Sequence, residues 1–439
     1  MSVTGWGGVT LTVELGLGAN PASGGVVPSG TGTWGVGTWG TDEWGDGPIY
    51  TDITAYVLGL DLSSGFSYEM DKYQTGRLSM TLDNTDGRFS TDNSSSPYWL
   101  FGQTTIAPLR EIRVTASYKG VSWPEFAGRI DAWDESLDMA GGSVLVTALD
   151  YYADLAAWTG LATTSVGAGD SFGARCTRIL NAAGWSGSRA IDVGVSLQQA
   201  TDLAGSAVSQ LEAAASAESG VVWVDASGTV CCENRDSLIE KTRSRDIQIT
   251  FTNIDSYALG VLYEPESVGT AYDATTVLNV ASYQRTGGTV QTSTSQTSRD
   301  LYGDRVDSVT GLDNTTDADV KIIATQAVAI NQFPERRVES LTFEPMRQPT
   351  EAQIDNAWES ISSAATSLRS LVYFSHLTPQ GFNVNRYLFI RGRKVRITPT
   401  DWTVSLDFTS ATVWYALSDS QWNRARWGVS RWAVNGWNV

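Results

Sequence analysis

Residues 75–87 read TGRLSMTLDNTDG. Within 75–83, Leu78, Met80 and Leu82 alternate with Arg77, Ser79 and Thr81. That period of two belongs to a strand with one face on a core and the other in water. The DNTDG at 83–87 concentrates Asp, Asn and Gly, whose side chains and backbones favour an Asx-type turn, so the strand stops there. The same alternation recurs in VTLTVELGL (9–17), REIRVTASY (110–118) and SVLVTALD (143–150). Turn clusters at 91–97 (TDNSSSP) and 117–120 (SYKG) separate these runs. Several short strands at this spacing predict a closed or sandwiched β domain.

The pattern changes after Tyr152. Phe172, Cys176, Ile179 and Leu180 recur at helical spacing within 171–184, and a second helix is predicted over 202–219, stopping at Gly220. VVWVDASGTVCCENR (221–235) reads as a hairpin turning at Ala226-Ser227-Gly228. From 246 strands return: 246–251, 276–284, 337–343, 394–398 and 402–408. Helices are predicted at 317–332 and 350–363, and the Ser/Thr-rich 287–298 reads as a flexible loop or hairpin tip. The fold class is therefore mainly β with a small α+β insert.

Thirty basic and 48 acidic side chains leave a net charge of −18 on 439 residues. Such acidity argues against a protein that holds nucleic acid by neutralising phosphates. Cys176, Cys231 and Cys232 make neither a disulfide framework nor a zinc-type pair. The N-terminal MSVTGWGGVTLTVEL lacks the basic and apolar regions of a signal peptide, and no apolar run of about 18 residues occurs. The expectation is a chain made soluble in a cytoplasm, with no membrane-spanning segment.

Catalytic signals are sparse. His376 is the single histidine and sits in SLVYFSHLTP, where a structural residue near a strand end is expected. One histidine excludes a His-rich metal site, and neither GxSxG, Walker A nor a GxGxxG before a helix is present. Asp131, Asp134, Glu135 and Asp138 cluster at a predicted strand end, which suits a solvated turn better than an acid pair for glycoside hydrolysis. DNTDG resembles the start of a calcium loop but lacks the later ligands and the closing glutamate. No catalytic residue, metal or cofactor is assigned.

The least ordinary features are two pentapeptide arrays. Trp34, Trp39 and Trp44 stand five apart near the start, and Trp422, Trp427, Trp432 and Trp437 do so at the end. Five matches neither helix nor strand periodicity, so neither element aligns successive indoles on one face. Arg424, Arg426 and Arg431 interleave with the second array, a mixture suited to stacking and carboxylate contacts. Docking on a neighbouring subunit or partner is the first reading, with packing inside the molecule and glycan binding as the others.

In order and spacing, residues 52–133 resemble the N-terminal half of phage minor tail proteins, the tail-tip or baseplate hubs of long-tailed phages. The landmarks are Asp52-Ile53-Thr54 with Tyr56-Val57, the Glu69…Gly76 turn, Leu82-Asp83-Asn84 and Asp86-Gly87-Arg88-Phe89. Ser96-Pro97-Tyr98 and Phe126-Ala127-Gly128 follow. Later ones are Glu218-Ser219-Gly220, Val224-Asp225 with Gly228, Val277-Leu278-Asn279-Val280, Tyr302-Gly303 and Asp401-Trp402-Thr403-Val404. The Gly/Trp-rich insertion at 21–48 and the terminal Trp array depart from that pattern.

The resemblance implies two tail-tube-like β-barrel domains, 1–155 and 241–415, flanking an α+β domain at 156–240, with a Trp-repeat tail at 416–439. It implies a non-enzymatic virion protein: a homotrimeric ring joining the tail tube to distal tip proteins and forming part of the DNA-ejection channel. Its partners would be copies of itself, a distal tail protein, a tape-measure protein and other tip or fibre proteins. DNA would pass transiently, past a lumen to which the acidity could contribute. A glycan-binding receptor module, or a cell-wall hydrolase using a pair such as Asp131 and Glu135, are the alternatives.

Overall fold

The computed structural model describes residues 8–17, 50–67, 72–100, 102–136, 142–254, 260–412 and 414. Burial follows the sequence alternation closely. Leu78, Met80 and Leu82 are buried while Arg77 is exposed, in a strand that runs Tyr73–Asp83.

In the first region β1 (Val9–Gly16), β2 (Tyr50–Asp52), β3 (Val57–Phe66) and β4 (Tyr73–Asp83) precede the short pair β5 (Trp99–Leu100) and β6 (Gln103–Thr104). β7 (Glu111–Tyr118), β8 (Val121–Glu135) and β9 (Ser143–Asp150) complete it. Asp150 then caps α1 (Tyr151–Ala157) by accepting the Tyr152 amide hydrogen.

The α+β unit comprises β10 (Thr159–Val166), β11 (Asp170–Ser171), α2 (Phe172–Ala182), β12 (Arg189–Ile191) and β13 (Leu197–Gln198). It continues through β14 (Thr201–Ser206), α3 (Ala207–Glu218), β15 (Val221–Val224) and β16 (Val230–Glu233). The helix predicted from 202 starts only at Ala207. Gly205, at φ +92°, breaks the turn, Ser206 accepts the Ser209 amide hydrogen as N-cap, and the preceding residues pair with β10.

Single turns α4 (Ser237–Glu240) and α5 (Thr242–Arg245) lead to β17 (Ile249–Thr252), β18 (Val261–Leu262), β19 (Gly269–Ala271), β20 (Val280–Arg285) and β21 (Gln291–Thr294). Then come α6 (Gln296–Tyr302), β22 (Val306–Leu312), α7 (Asp317–Asn331), β23 (Arg337–Phe343) and α8 (Glu351–Ser362). β24 (Leu371–Leu377), β25 (Asn383–Ile397) and β26 (Trp402–Ser410) close the described chain. The Ser/Thr-rich stretch is more ordered than a loop. Gln291–Thr294 pair antiparallel with β20, and α6 begins two residues later. Short hydroxyl-bearing side chains suit an edge strand as well as they suit a loop.

Two strand-rich regions thus flank an α+β unit, and they share one 14-stranded sheet. The seam is the antiparallel pairing of β3 with β25, from Leu60↔Ile397 to Gly65↔Gly392. From there the order runs β4-β9-β8-β7-β1-β2 on one side and β24-β17-β18 on the other, while β26 links β25 to β23 and β19. Across the core, Arg393 of β25 grips Glu125 of β8 in a two-toothed ion pair, its nitrogens 2.7 and 3.1 Å from the carboxylate oxygens. Three strands stand between these two in the sheet, so the sheet curls around its core. One apolar cluster runs from Val9 to Ala411 and includes the α+β unit. A second, built on Tyr283, Leu312, Val320, Ile323 and Val328, holds α7 against β20 and β22 as a separate lobe.

Candidate functional site

The two faces of the sheet differ. On the covered face Trp358 of α8 packs against Trp402 at 5.2 Å and Tyr118 at 5.9 Å, and Trp223 of the α+β unit meets Phe66. The other face is mainly polar, interrupted by Leu145 and Leu149 of β9. It carries Thr10, Thr12 and Glu14 of β1, Arg113 and Thr115 of β7, Thr147 of β9 and Arg77 and Ser79 of β4. Across the seam it continues with Asp61 and Ser63, Lys394 and Arg396, and Ser405 and Asp407. Its charges pair between strands: Arg113 with Glu14 at 2.6 Å, Arg129 with Glu111 at 3.6 Å, and Lys394 with Asp407 at 3.4 Å. A shallow depression of about 380 Å³ lies on the seam, where Arg77, Lys394 and Arg396 converge over hydroxyl side chains. Arg396 lies 4.0 Å from Asp61, both being about 70% exposed, so that pair stays screened by water.

Buried charges pin the α+β unit beneath the sheet. Glu233, at the end of β16, is 1% exposed and takes Lys241 at 3.2 Å, Arg369 at 2.9 Å, and Arg243. Burial works against the carboxylate, yet these three cations hold it down at about 2. Burial pulls Arg369 down to about 10, with Glu233 opposing. Glu218 ends α3 buried, 3.3 Å from Arg235, and accepts amide hydrogens from Val195 and Ser196 at 3.0 and 2.8 Å. Asp150 is pushed by burial up to about 6, against donation from the Tyr73 hydroxyl and the Gly76 and Tyr152 amides. Arg175, buried in α2, reaches Asp313 at 3.3 Å and ties this unit to the lobe.

A cleft of about 760 Å³ separates the α+β unit, the lobe and the end of β26. Its walls include Glu212 of α3, Ile330 of α7, Phe333, and Trp414.

No metal-ligating cluster occurs among the described residues. Glu135 accepts hydrogen bonds from Ser90 Oγ and, at 3.4 Å, from Asn84 Nδ2, so it anchors the loop after β4. Asp138 lies outside the described residues. DNTDG is an Asx turn, as expected: Asp83 accepts the Thr85 amide at 3.0 Å and Asp86 the Arg88 amide at 3.1 Å. His376, one residue from the end of β24, shares a 2.7 Å hydrogen bond between its Nδ1 and the Tyr263 hydroxyl. All three thiols are free and buried. No helix among the described residues is long and apolar enough to cross a membrane.

The ten residues assigned to docking, Trp34, Trp39, Trp44, Trp422, Trp427, Trp432, Trp437, Arg424, Arg426 and Arg431, lie outside the described residues, as does the insertion at 21–48. What sequence reasoning missed is the polar sheet face. The signal was present in KVRIT (394–398), where Lys394 and Arg396 alternate with Val395 and Ile397, but only the pairing with β3 places them beside Asp61 and Ser63.

No family model and no curated protein matches the chain. Among solved structures it is similar to the tail protein from Neisseria meningitidis MC58, with a TM-score of 0.55 at 10% identity over 93% of this chain and 98% of that one. The 43 kDa tail protein of prophage MuSo2 from Shewanella oneidensis aligns at 0.49 and 10% identity, over 82% and 94%. Prophage tail protein gp18 from Listeria monocytogenes aligns at 0.42 and 9%, over 87% and 98%. The likeness to the Neisseria protein is one of fold, and it extends across both strand-rich regions and the unit between them.

Proposed function

We propose that this chain is a structural hub of a phage tail tip. Three copies would form a ring that continues the tail tube toward the distal tip proteins, with the polar face of the 14-stranded sheet lining a DNA-ejection channel. The observation that carries the reading is the near end-to-end match, 93% of this chain on 98% of the Neisseria tail protein. The sheet supports it: one continuous surface crosses both strand-rich regions, covered on one side and polar on the other. The role is non-enzymatic. Glu135 at the end of β8 is drawn into loop contacts, and the lone histidine is bonded to a buried tyrosine.

In this reading the expected acidic lumen becomes a charge-paired one. Cross-strand pairing leaves the face hydroxyl-rich and close to neutral, so DNA would meet few unpaired cations to grip its phosphates. The proposed neighbours are a distal tail protein, a tape-measure protein and other tip or fibre components, in a virion assembled in the host cytoplasm. Mass photometry of released tail tips tests the stoichiometry, and three times the 47.3 kDa chain mass is expected. Cryo-electron microscopy of the particle should then show Ser63, Ser79 and Ser405 facing the axis. One copy per tip, or these serines buried against another protein, would overturn the proposal.

A further inference from the structure

Trp414, the last described residue, stands on the wall of the cleft between α3, α7 and the end of β26, and residues 415–439 follow it in sequence. The cleft is apolar where Leu278, Val309, Ile330 and Phe333 line it, and Phe333 is 43% exposed. Three carboxylates also line it, Glu212, Asp307 and Glu335, and none forms an ion pair with a cation among the described residues. Glu212 and Asp307 accept only the hydroxyls of Tyr152 and Tyr283 among the described residues. The arginines on the same walls have carboxylates of their own: Arg235 has Glu218, Arg337 has Asp273, and Arg369 has Glu233. Lys72 is the remaining lining cation.

Residues 416–439 have the complementary chemistry. They hold Trp422, Trp427, Trp432 and Trp437 with Arg424, Arg426, Arg431 and one acid, Asp419. Three positive charges less one give the segment +2 on a chain whose total is −18. Indoles bring large apolar area and need cover, and guanidinium groups match carboxylates in two-toothed geometry. A tethered segment also binds at a high effective concentration, so modest contacts suffice. We propose that residues 416–439 dock back into this cleft of the same chain, with indoles on the apolar wall and arginines on Glu212, Asp307 and Glu335. This inference selects intramolecular packing for the second Trp array, and it does not depend on the hub reading.

Trypsin cuts after arginine, so the segment reports on its own docking. In the purified full-length chain, cleavage after Arg424, Arg426 and Arg431, followed by mass spectrometry, should be at least about ten-fold slower than in a free peptide of residues 416–439. Phe333→Arg should abolish that protection while the melting temperature stays close to that of the unmodified protein. Glu335→Arg provides a second variant at a partly exposed site, with the same expectation. Cleavage of the unmodified chain at the peptide's rate overturns the proposal. Protection that strengthens with protein concentration overturns it in favour of a second copy's segment. Protection indifferent to both substitutions overturns it too, because the segment would then be covered elsewhere.

Discussion

Glu233 joins three cations from two parts of the chain, Lys241 and Arg243 just after its own strand and the distant, buried Arg369. Glu233→Gln would strand those charges, with an expected loss of about 3–5 kcal/mol in a urea titration. The pH dependence follows from sign. Its carboxyl sits at about 2 rather than 4.5, so its stabilisation is complete above about 4.5 and is lost as pH falls toward 2. Asp150 acts oppositely. Its carboxyl is raised from 3.8 to about 6, so its relative stabilisation is present below about 3.8 and is lost as pH rises through 6. Each term is of order 3 kcal/mol. Melting temperatures between pH 2 and 7 should therefore show Glu233→Gln removing part of the acid limb. Asp150→Asn should instead flatten the decline between pH 4 and 6. Parallel profiles for all three proteins would show that neither group titrates as described. None of this was legible in VCCE (230–233), because Arg369 arrives from beyond two strand-rich segments and nothing local announces it.

At the scale of the element, what was legible was what local chemistry dictates. The alternation in 143–150 marks β9 to the residue, and the helical run at 317–332 matches α7 to within one. Failures occurred where local signals conflict. Leu203 fits a helical stripe, but it lies in β14, which runs through Gly205 to Ser206, and Ser206 then caps a helix that starts at Ala207. The β3–β25 seam had no signal, since strand pairing over such a separation is set by the core rather than by either strand's composition. One glycine shows how closely neighbouring strands approach. A Cβ on Gly128 of β8 would lie 2.1 Å from the Leu149 carbonyl oxygen and 2.9 Å from Asp150 Cα. Gly59 of β3 meets only the Ile397 carbonyl oxygen at 3.5 Å, an ordinary contact. Gly128→Ala should then destabilise the chain by about 1–3 kcal/mol and Gly59→Ala by much less. Equal unfolding midpoints for the two variants would mean that β9 can shift to make room.

The whole molecule carries −18, yet its broadest exposed sheet face is balanced, with Arg113, Arg129 and Lys394 each facing a carboxylate across the strands. If that face lines a channel, its neutrality has a mechanical consequence. DNA moving past unpaired cations would be held at each by counter-ion exchange, whereas hydroxyls and closed ion pairs offer no such hold. The argument predicts the effect of breaking the balance. Ser79→Arg with Ser405→Arg adds two cations beside Arg77, Lys394 and Arg396 on the seam, more than Asp61 and Asp407 can offset. Both serines are partly exposed on the polar face, so folding should be little affected. Particles carrying the double variant should eject DNA several-fold more slowly at low ionic strength, in single-particle imaging with an intercalating dye. Raising the salt should restore the rate, because screening shortens the reach of each added charge to about 10 Å at 0.1 M. Ser79→Asn with Ser405→Asn, which adds bulk without charge, should leave ejection unchanged. An arginine variant as fast as the unmodified particle at low salt would mean that DNA does not pass along this face.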